Sequence, residues 1–216
     1  TDGLFSMDGD LAPLGELVEL AHRYEAMLLV DEAHATGVFG AGGRGTAEHL
    51  GVEKEIPVQI GTLSKALGSV GGFVVGSRIL IDWLVQRARS YLFSTAPPAP
   101  MAAAAMAALE IVQTEPIRRR RLLESADYVR AELRRQGWRL GPSMSQIIPV
   151  LVGRPETALE FSAALAERGL FVPPIRPPAV PEGESCLRIS LCASHSSGMI
   201  DALLEALAVL AKRFLS

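Results

Sequence analysis

A continuous apolar run, Ala26-Met27-Leu28-Leu29-Val30, stops abruptly at Asp31-Glu32-Ala33-His34. A short run that is apolar at every position and closed by polar residues fits a strand buried on both faces of a parallel sheet, with the polar group at its carboxyl end. Residues 58–62 read as a second buried strand, and Gly-Phe-Val-Val-Gly at 72–76 as a third. Helical spacing of apolar residues marks 14–23, 79–90 and 97–113 as helices, and 37–45 is a glycine-rich loop. Strands alternating with helices predict an α/β layered fold.

The pattern changes after Thr114. Helices are expected at 118–131, 156–167 and 197–214, and strands at 146–151, 170–172 and 186–192. Residues 1–113 therefore read as part of a large parallel-sheet domain and 114–216 as a small α+β domain. With 49% hydrophobic and 21% charged residues the chain is globular rather than disordered. A formal charge of -3 gives no basic footprint for nucleic acid. The longest apolar stretch, 101–109, is too short to span a bilayer, and no signal peptide is evident. Cys186 and Cys192 lack zinc-spaced partners, so no metal site is expected; they read as free, buried thiols of a cytoplasmic protein.

Among 21 basic residues only Lys54, Lys65 and Lys212 are lysines. Arginine stays charged, whereas a lysine amine can serve as a nucleophile. Lys54 and Lys212 read as solvated. Lys65 lies in Gly61-Thr62-Leu63-Ser64-Lys65-Ala66-Leu67-Gly68 between two apolar runs, where partial desolvation would activate its amine. A loop lysine that simply reaches solvent is the equal alternative.

Asp31 and His34 follow the first strand, and open parallel sheets bind ligands beyond the carboxyl ends of their strands. An ion pair or cap at the junction would explain both residues as well. The same Asp-Glu-Ala-His string occurs in helicase-type ATPases, but residues 1–30 hold no GxxxxGK[ST] phosphate loop. Ser94 and Thr95 precede a helix and suit either an anion or an N-cap. Arg188, flanked by apolar residues, suits a buried ion pair or a bidentate carboxylate contact. The arginines at 118–121 read as a solvated helix face.

Together these stretches resemble the α-oxoamine synthases, pyridoxal-phosphate enzymes of the aspartate aminotransferase fold (fold type I). The match is carried by Asp2-Gly3-Leu4-Phe5-Ser6-Met7-Asp8-Gly9-Asp10, by Val30 to Gly37, by Gly61 to Gly68, and by the proline-rich loop 176–181 with Leu187-Arg188-Ile189-Ser190. The resemblance implies that Lys65 bonds the cofactor covalently and later moves protons, while Asp31 pairs with the pyridinium nitrogen. It places His34 and Ser6 at the cofactor's 3'-oxygen, Thr62 and Ser64 at its phosphate, and Ser94 and Thr95 at the phosphate of a neighbouring subunit in a homodimer. Arg188 would grip the amino-acid carboxylate, and Arg176 would contact the substrate.

The family reaction is a decarboxylative condensation of an amino acid with an acyl-CoA or acyl-carrier-protein thioester. The loop Ile175-Arg176-Pro177-Pro178 with Val180-Pro181 is most similar to the biotin-pathway branch, which joins L-alanine to a pimeloyl thioester to give 8-amino-7-oxononanoate. Glycine C-acetyltransferase and serine palmitoyltransferase are the alternatives within the family, and a non-catalytic remnant of the fold the alternative outside it. Full members carry an N-terminal arm and the first half of the large domain before the position of Thr1. The resemblance therefore implies a C-terminal fragment.

Overall fold

In the computed structural model, which describes residues 1–214, the first two apolar runs pair as parallel strands. β1 (Leu29–Asp31) sets Asp31 opposite Ile60 of β2 (Val58–Thr62). β3 (Gly72–Gly76) returns antiparallel, with Thr62 opposite Gly72, so the three-stranded sheet is mixed. The core on this sheet gathers Val30 with Ala12, Ala47 and Ile56, together with Leu14 and Val18 of α1 (Leu14–Arg23).

Burial on both faces does not hold for these strands. In the run 26–30 only Val30 is buried, and Met27 is 74% exposed. α1 and its neighbours cover one face only. β3 is exposed at every position except Phe73, because β2 is its one strand neighbour among the described residues. Phe73 crosses to Gly61 on β2, where a Cβ would lie 2.4 Å from its ring.

A short α2 (Thr46–His49) closes the glycine-rich loop. The single helix expected at 79–90 is two, α3 (Arg78–Arg87) and α4 (Arg89–Leu92), because Ala88 takes an extended backbone between them. α5 (Ala99–Thr114) follows, then α6 (Ile117–Arg135). The arginine run 118–121 is not uniformly solvated. Arg119 is 7% exposed and donates to the carbonyls of Val112 (2.5 Å) and Ala41 (2.6 Å). Val112 lies in the last turn of α5, where carbonyls lack helical partners, so a guanidinium is well placed there.

Beyond α6 come β4 (Arg139–Leu140), β5 (Ile147–Gly153), α7 (Pro155–Ala166), β6 (Pro174–Ile175), β7 (Ser185–Ser190) and α8 (Ser197–Phe214). Their sheet is wholly antiparallel in the order β4-β5-β7-β6. α7 packs on β5, β6 and β7, and Trp138 meets Phe161 edge to face at 5.7 Å. The strand expected at 170–172 forms instead at Pro174–Ile175, opposite Leu187 and Cys186. Val172 offers its carbonyl to the Ser162 hydroxyl at 2.8 Å, and Pro174 is tolerated because β6 is an edge strand.

The chain divides into two compact units. The first holds Thr1–Phe5 and Leu11–Arg119; the second holds Ser6–Asp10 and the residues from Arg120 on. The division thus falls inside α6, and the tip of the N-terminal segment goes with the second unit. Its base is fixed in the first, where the Ala12 N–H donates to the Gly3 carbonyl at 2.9 Å and Leu4 bridges to Leu11.

Candidate functional site

Parallel pairing sends the chain out of β1 and β2 at the same end of the sheet, the end at which such sheets bind ligands. Residues 1–3 flank β1 there. The Asp31 N–H donates to the Thr1 carbonyl at 2.9 Å, and the Gly3 N–H donates to the Asp31 carbonyl at 2.8 Å. The backbone of Asp31 is thereby held on both sides. Its Oδ1 accepts the Ala33 N–H at 2.8 Å, and no other hydrogen bond reaches this carboxylate among the described residues. His34 is partly buried in the turn that follows.

Glu32 escaped the sequence reading. It is 1% exposed, and its carboxylate accepts the N–H groups of Thr46 and Ala47 and the Thr46 hydroxyl, each at 2.8 Å. A Cβ on Gly45 would come within 2.5 Å of the Glu32 Cδ, and one on Gly3 within 2.1 Å of the Thr46 Oγ1. The signal was present as an acidic residue directly after a buried strand. What it faces, a glycine loop and a hydroxyl fourteen positions on, has no periodic signature.

Thr62 ends β2 and organises the loop that carries Lys65. Its Oγ1 donates to the Gly71 carbonyl (3.0 Å), accepts the Ser64 N–H (3.1 Å) and lies 2.7 Å from the Ser64 Oγ. Leu67 is buried, and the Ser69 hydroxyl donates to the Met101 carbonyl of α5 at 2.6 Å. The loop is therefore pinned on both sides of Lys65. Gly37, with φ +80, brings the chain beyond His34 against the same loop: a Cβ there would lie 2.9 Å from the Ala66 Cβ. Lys65 itself is exposed rather than partly desolvated, because the strand after it is exposed too. Its amine has no hydrogen bond or ion pair among the described residues.

Ser94 and Thr95 are exposed, and the Ser94 hydroxyl donates to the Thr95 carbonyl at 3.5 Å. Neither caps α5, whose N-cap is Pro98. In the second unit, Arg188 on β7 donates its Nε–H to the Ser6 carbonyl at 2.7 Å and Nη1 to the Ser190 hydroxyl at 2.9 Å. Nη2 has no partner among the described residues. Burial lowers the guanidinium pKa. Burial also pushes the Cys186 thiol up to about 11, with Asp8 adding to the effect. Cys192 is exposed, not buried, in the turn after β7, with its sulfur 3.0 Å from the Ser194 hydroxyl. Arg176 is exposed.

Asp31, His34, Thr62, Ser64 and Lys65 thus share one end of the first unit, while Ser6 and Arg188 meet in the second. Ser94, Thr95 and Arg176 stand on exposed loops. Cavities of about 580 and 560 Å³ lie in the second unit. Arg188 lines the smaller beside Leu170, Val172 and Leu203. Neither includes Asp31, His34 or Lys65. Among the described residues no cluster of three His, Cys, Asp or Glu side chains could hold a metal ion. No described helix is long and apolar enough to cross a membrane.

The family model for aminotransferase class I and II matches residues 1–207. The chain belongs to this family. Among curated members, the 8-amino-7-oxononanoate synthase of Anaeromyxobacter dehalogenans (strain 2CP-C) is 53% identical over 96% of this chain and 52% of its own length. That of Methylococcus capsulatus is 52% identical over 96% of this chain and 54% of its own. The chain therefore spans about half the length of these class I and II relatives. Among solved structures, a serine palmitoyltransferase from S. paucimobilis with bound PLP–myriocin aldimine superposes with a TM-score of 0.93 at 38% identity. The match covers 98% of this chain and 54% of that one. An 8-amino-7-oxononanoate synthase from Francisella tularensis gives a TM-score of 0.84 at 26% identity, covering 98% and 61%. The expected aspartate aminotransferase-like α/β architecture is borne out.

Proposed function

We propose that this chain is the cofactor-anchoring part of a pyridoxal-phosphate-dependent α-oxoamine synthase, with Lys65 as the anchor. The observation that carries this reading is the exit of Asp31 and Lys65 from adjacent parallel strands at one end of the sheet. The donor set fits the cofactor. Asp31 keeps an uncommitted carboxylate oxygen, Lys65 an unpaired amine, and Thr62 and Ser64 a pair of neighbouring hydroxyls.

Bound pyridoxal phosphate supplies a cationic ring that takes up the electron pair released at the amino-acid α-carbon. Asp31 holds the proton on the ring nitrogen, and its orientation is set by the Ala33 N–H on Oδ1. Lys65 anchors the cofactor and moves the proton at the α-carbon. Thr62 and Ser64 lie at the phosphate, and His34 and Ser6 donate to the 3'-oxygen. Arg188 offers Nη2 to the substrate carboxylate while its other nitrogens are held by Ser6 and Ser190. Arg176 contacts the substrate from its exposed loop. Ser94 and Thr95 serve the phosphate of the second subunit of a homodimer. Two cysteines without a disulfide suit a cytoplasmic setting.

The substrates that best agree with the relatives are L-alanine and a pimeloyl thioester, giving 8-amino-7-oxononanoate, CoA or carrier protein, and carbon dioxide for biotin synthesis. Serine palmitoyltransferase is the second reading, favoured by the higher TM-score and identity of those structures. The test is borohydride reduction of the complete enzyme with pyridoxal phosphate, followed by peptide mass mapping. A label on Lys65 is the expected outcome; a label on Lys54 or Lys212 alone, or none, overturns the reading. CoA release from alanine and pimeloyl-CoA supports the first substrate pair, and release from serine and palmitoyl-CoA the second.

A further inference from the structure

Arg130 on α6 is 5% exposed, yet its carboxylate partner Asp127, at 2.6 Å, lies in solvent. Its Nη1 serves the turn 143–147. Nη1 donates to the Ser145 carbonyl and, at 3.4 Å, to the Ser143 hydroxyl. That hydroxyl donates in turn to the Ile147 carbonyl, and the Ile147 N–H donates to the Ser145 hydroxyl at 3.2 Å. A buried guanidinium that divides its donors between a carboxylate, a backbone carbonyl and a hydroxyl is held in place, since each lost contact would strand a buried polar group.

The turn so fixed carries the N-terminal tip. The Met144 N–H donates to the Gly9 carbonyl at 3.0 Å. Gly9 has φ +70 and sits so close that a Cβ would lie 2.2 Å from the Ile147 carbonyl oxygen and 3.0 Å from the Ser143 Oγ. Three residues earlier, the Ser6 carbonyl accepts from Arg188. The tip is thus tied at both ends, at Gly9 by the 143–147 turn and at Ser6 by β7.

We propose that Arg130 is a positioning residue for Ser6, acting through the Ser143–Ile147 turn and Gly9. This rests on the role given above to Ser6 at the cofactor's 3'-oxygen. Arg130 touches neither cofactor nor substrate. It sets the place from which the Ser6 side chain is presented, as outer hydrogen bonds do for groups that contact a ligand.

The experiment uses the complete enzyme with bound pyridoxal phosphate and the variants Arg130→Met, Ser143→Ala and Ser6→Ala. Ser143→Ala covers the case in which Arg130→Met fails to fold. Two readouts are taken: amide hydrogen exchange of residues 5–10, and the visible absorption maximum of the bound cofactor. Loss of the turn contacts raises exchange at 5–10 by on the order of tenfold, with β5 and β7 unchanged. Ser143→Ala moves the absorption maximum in the same direction as Ser6→Ala, and the double variant moves it no further than Ser6→Ala alone, as expected of two residues acting through one contact. Unchanged exchange at 5–10 in Ser143→Ala overturns the positioning role whatever the cofactor does. Raised exchange with an unmoved absorption maximum in Ser143→Ala and Ser6→Ala overturns the link to the cofactor. A missing label on Lys65 after reduction would sink the parent reading instead, independently of the exchange result.

Discussion

The carboxylate of Glu32 receives both the backbone N–H and the hydroxyl of Thr46, each at 2.8 Å, in a pocket closed by Gly3 and Gly45. A buried charge held by hydrogen bonds alone depends on all of its donors. Glu32→Gln should lower stability by about 1–3 kcal/mol, and Glu32→Ala by more, because stranded donors remain buried. Urea unfolding of the complete protein checks this. Equal midpoints for wild type and Glu32→Ala would contradict it.

Lys65 stands on the surface without a partner among the described residues, so its removal should leave the fold nearly untouched. Lys65→Ala is expected to change stability by no more than about 0.5 kcal/mol, the usual range for surface substitutions. Turnover and the borohydride-stable label should both vanish. Circular dichroism and a urea titration, run beside the labelling, separate loss of function from loss of structure.

Arg188 divides its guanidinium between the Ser6 carbonyl, the Ser190 hydroxyl and, in the proposed reaction, the substrate carboxylate. The three donors of a lysine ammonium diverge from a single nitrogen and cannot reproduce the spread of the planar guanidinium fork. Arg188→Lys should raise the KM for the amino acid roughly 10- to 100-fold, the equivalent of a charge-assisted hydrogen bond. The KM for the acyl thioester should stay within a factor of about two, since that substrate makes no contact with Arg188 in this scheme. Steady-state kinetics with each substrate varied in turn tests the split.

The two thiols should differ in reactivity and in their effect on stability. Cys186 is buried with its pKa pushed up to about 11, whereas Cys192 is exposed. Iodoacetamide near pH 8 should therefore label Cys192 in the native protein and spare Cys186. For Cys186 the folded pKa exceeds the ordinary thiol value of 9.0 that holds in the unfolded chain. The unfolded state thus gives up its proton first, and the stabilisation is complete below pH 9 and lost as pH rises through about 11. Cys186→Val should flatten the decline in unfolding midpoint across that window.

The two parallel strands were legible because 26–30 is an apolar run closed by polar residues and 58–62 places Val58 and Ile60 at alternate positions. Their exposure was not. Periodicity reports that a segment can be buried, not whether a neighbour covers it, and β3 shows the difference. β6 was misplaced because pairing with Leu187 and Cys186 on β7, rather than local apolar content, decides which residues extend. Lys65 could be singled out by scarcity and by the glycines and hydroxyls around it. Arg119 could not, since its partners, the carbonyls of Val112 and Ala41, are backbone atoms that any sequence would supply. Glu32 escaped for the same reason: a buried carboxylate satisfied by two N–H groups and a hydroxyl leaves no complementary charge to find.

The N-terminal tip also bears on the order in which the molecule can be completed. Ser6 and Arg188 are separated by 182 positions in the chain, and Gly9 waits for Met144. During synthesis Ser6–Asp10 emerges well before its partners, and its contact with Arg188 cannot form until the ribosome has passed residue 188. Closing so long a loop is slow compared with the local contacts of α1 and β1. A break after Arg119 would not yield two intact pieces either, because the stretch that completes the second unit would remain attached to the first.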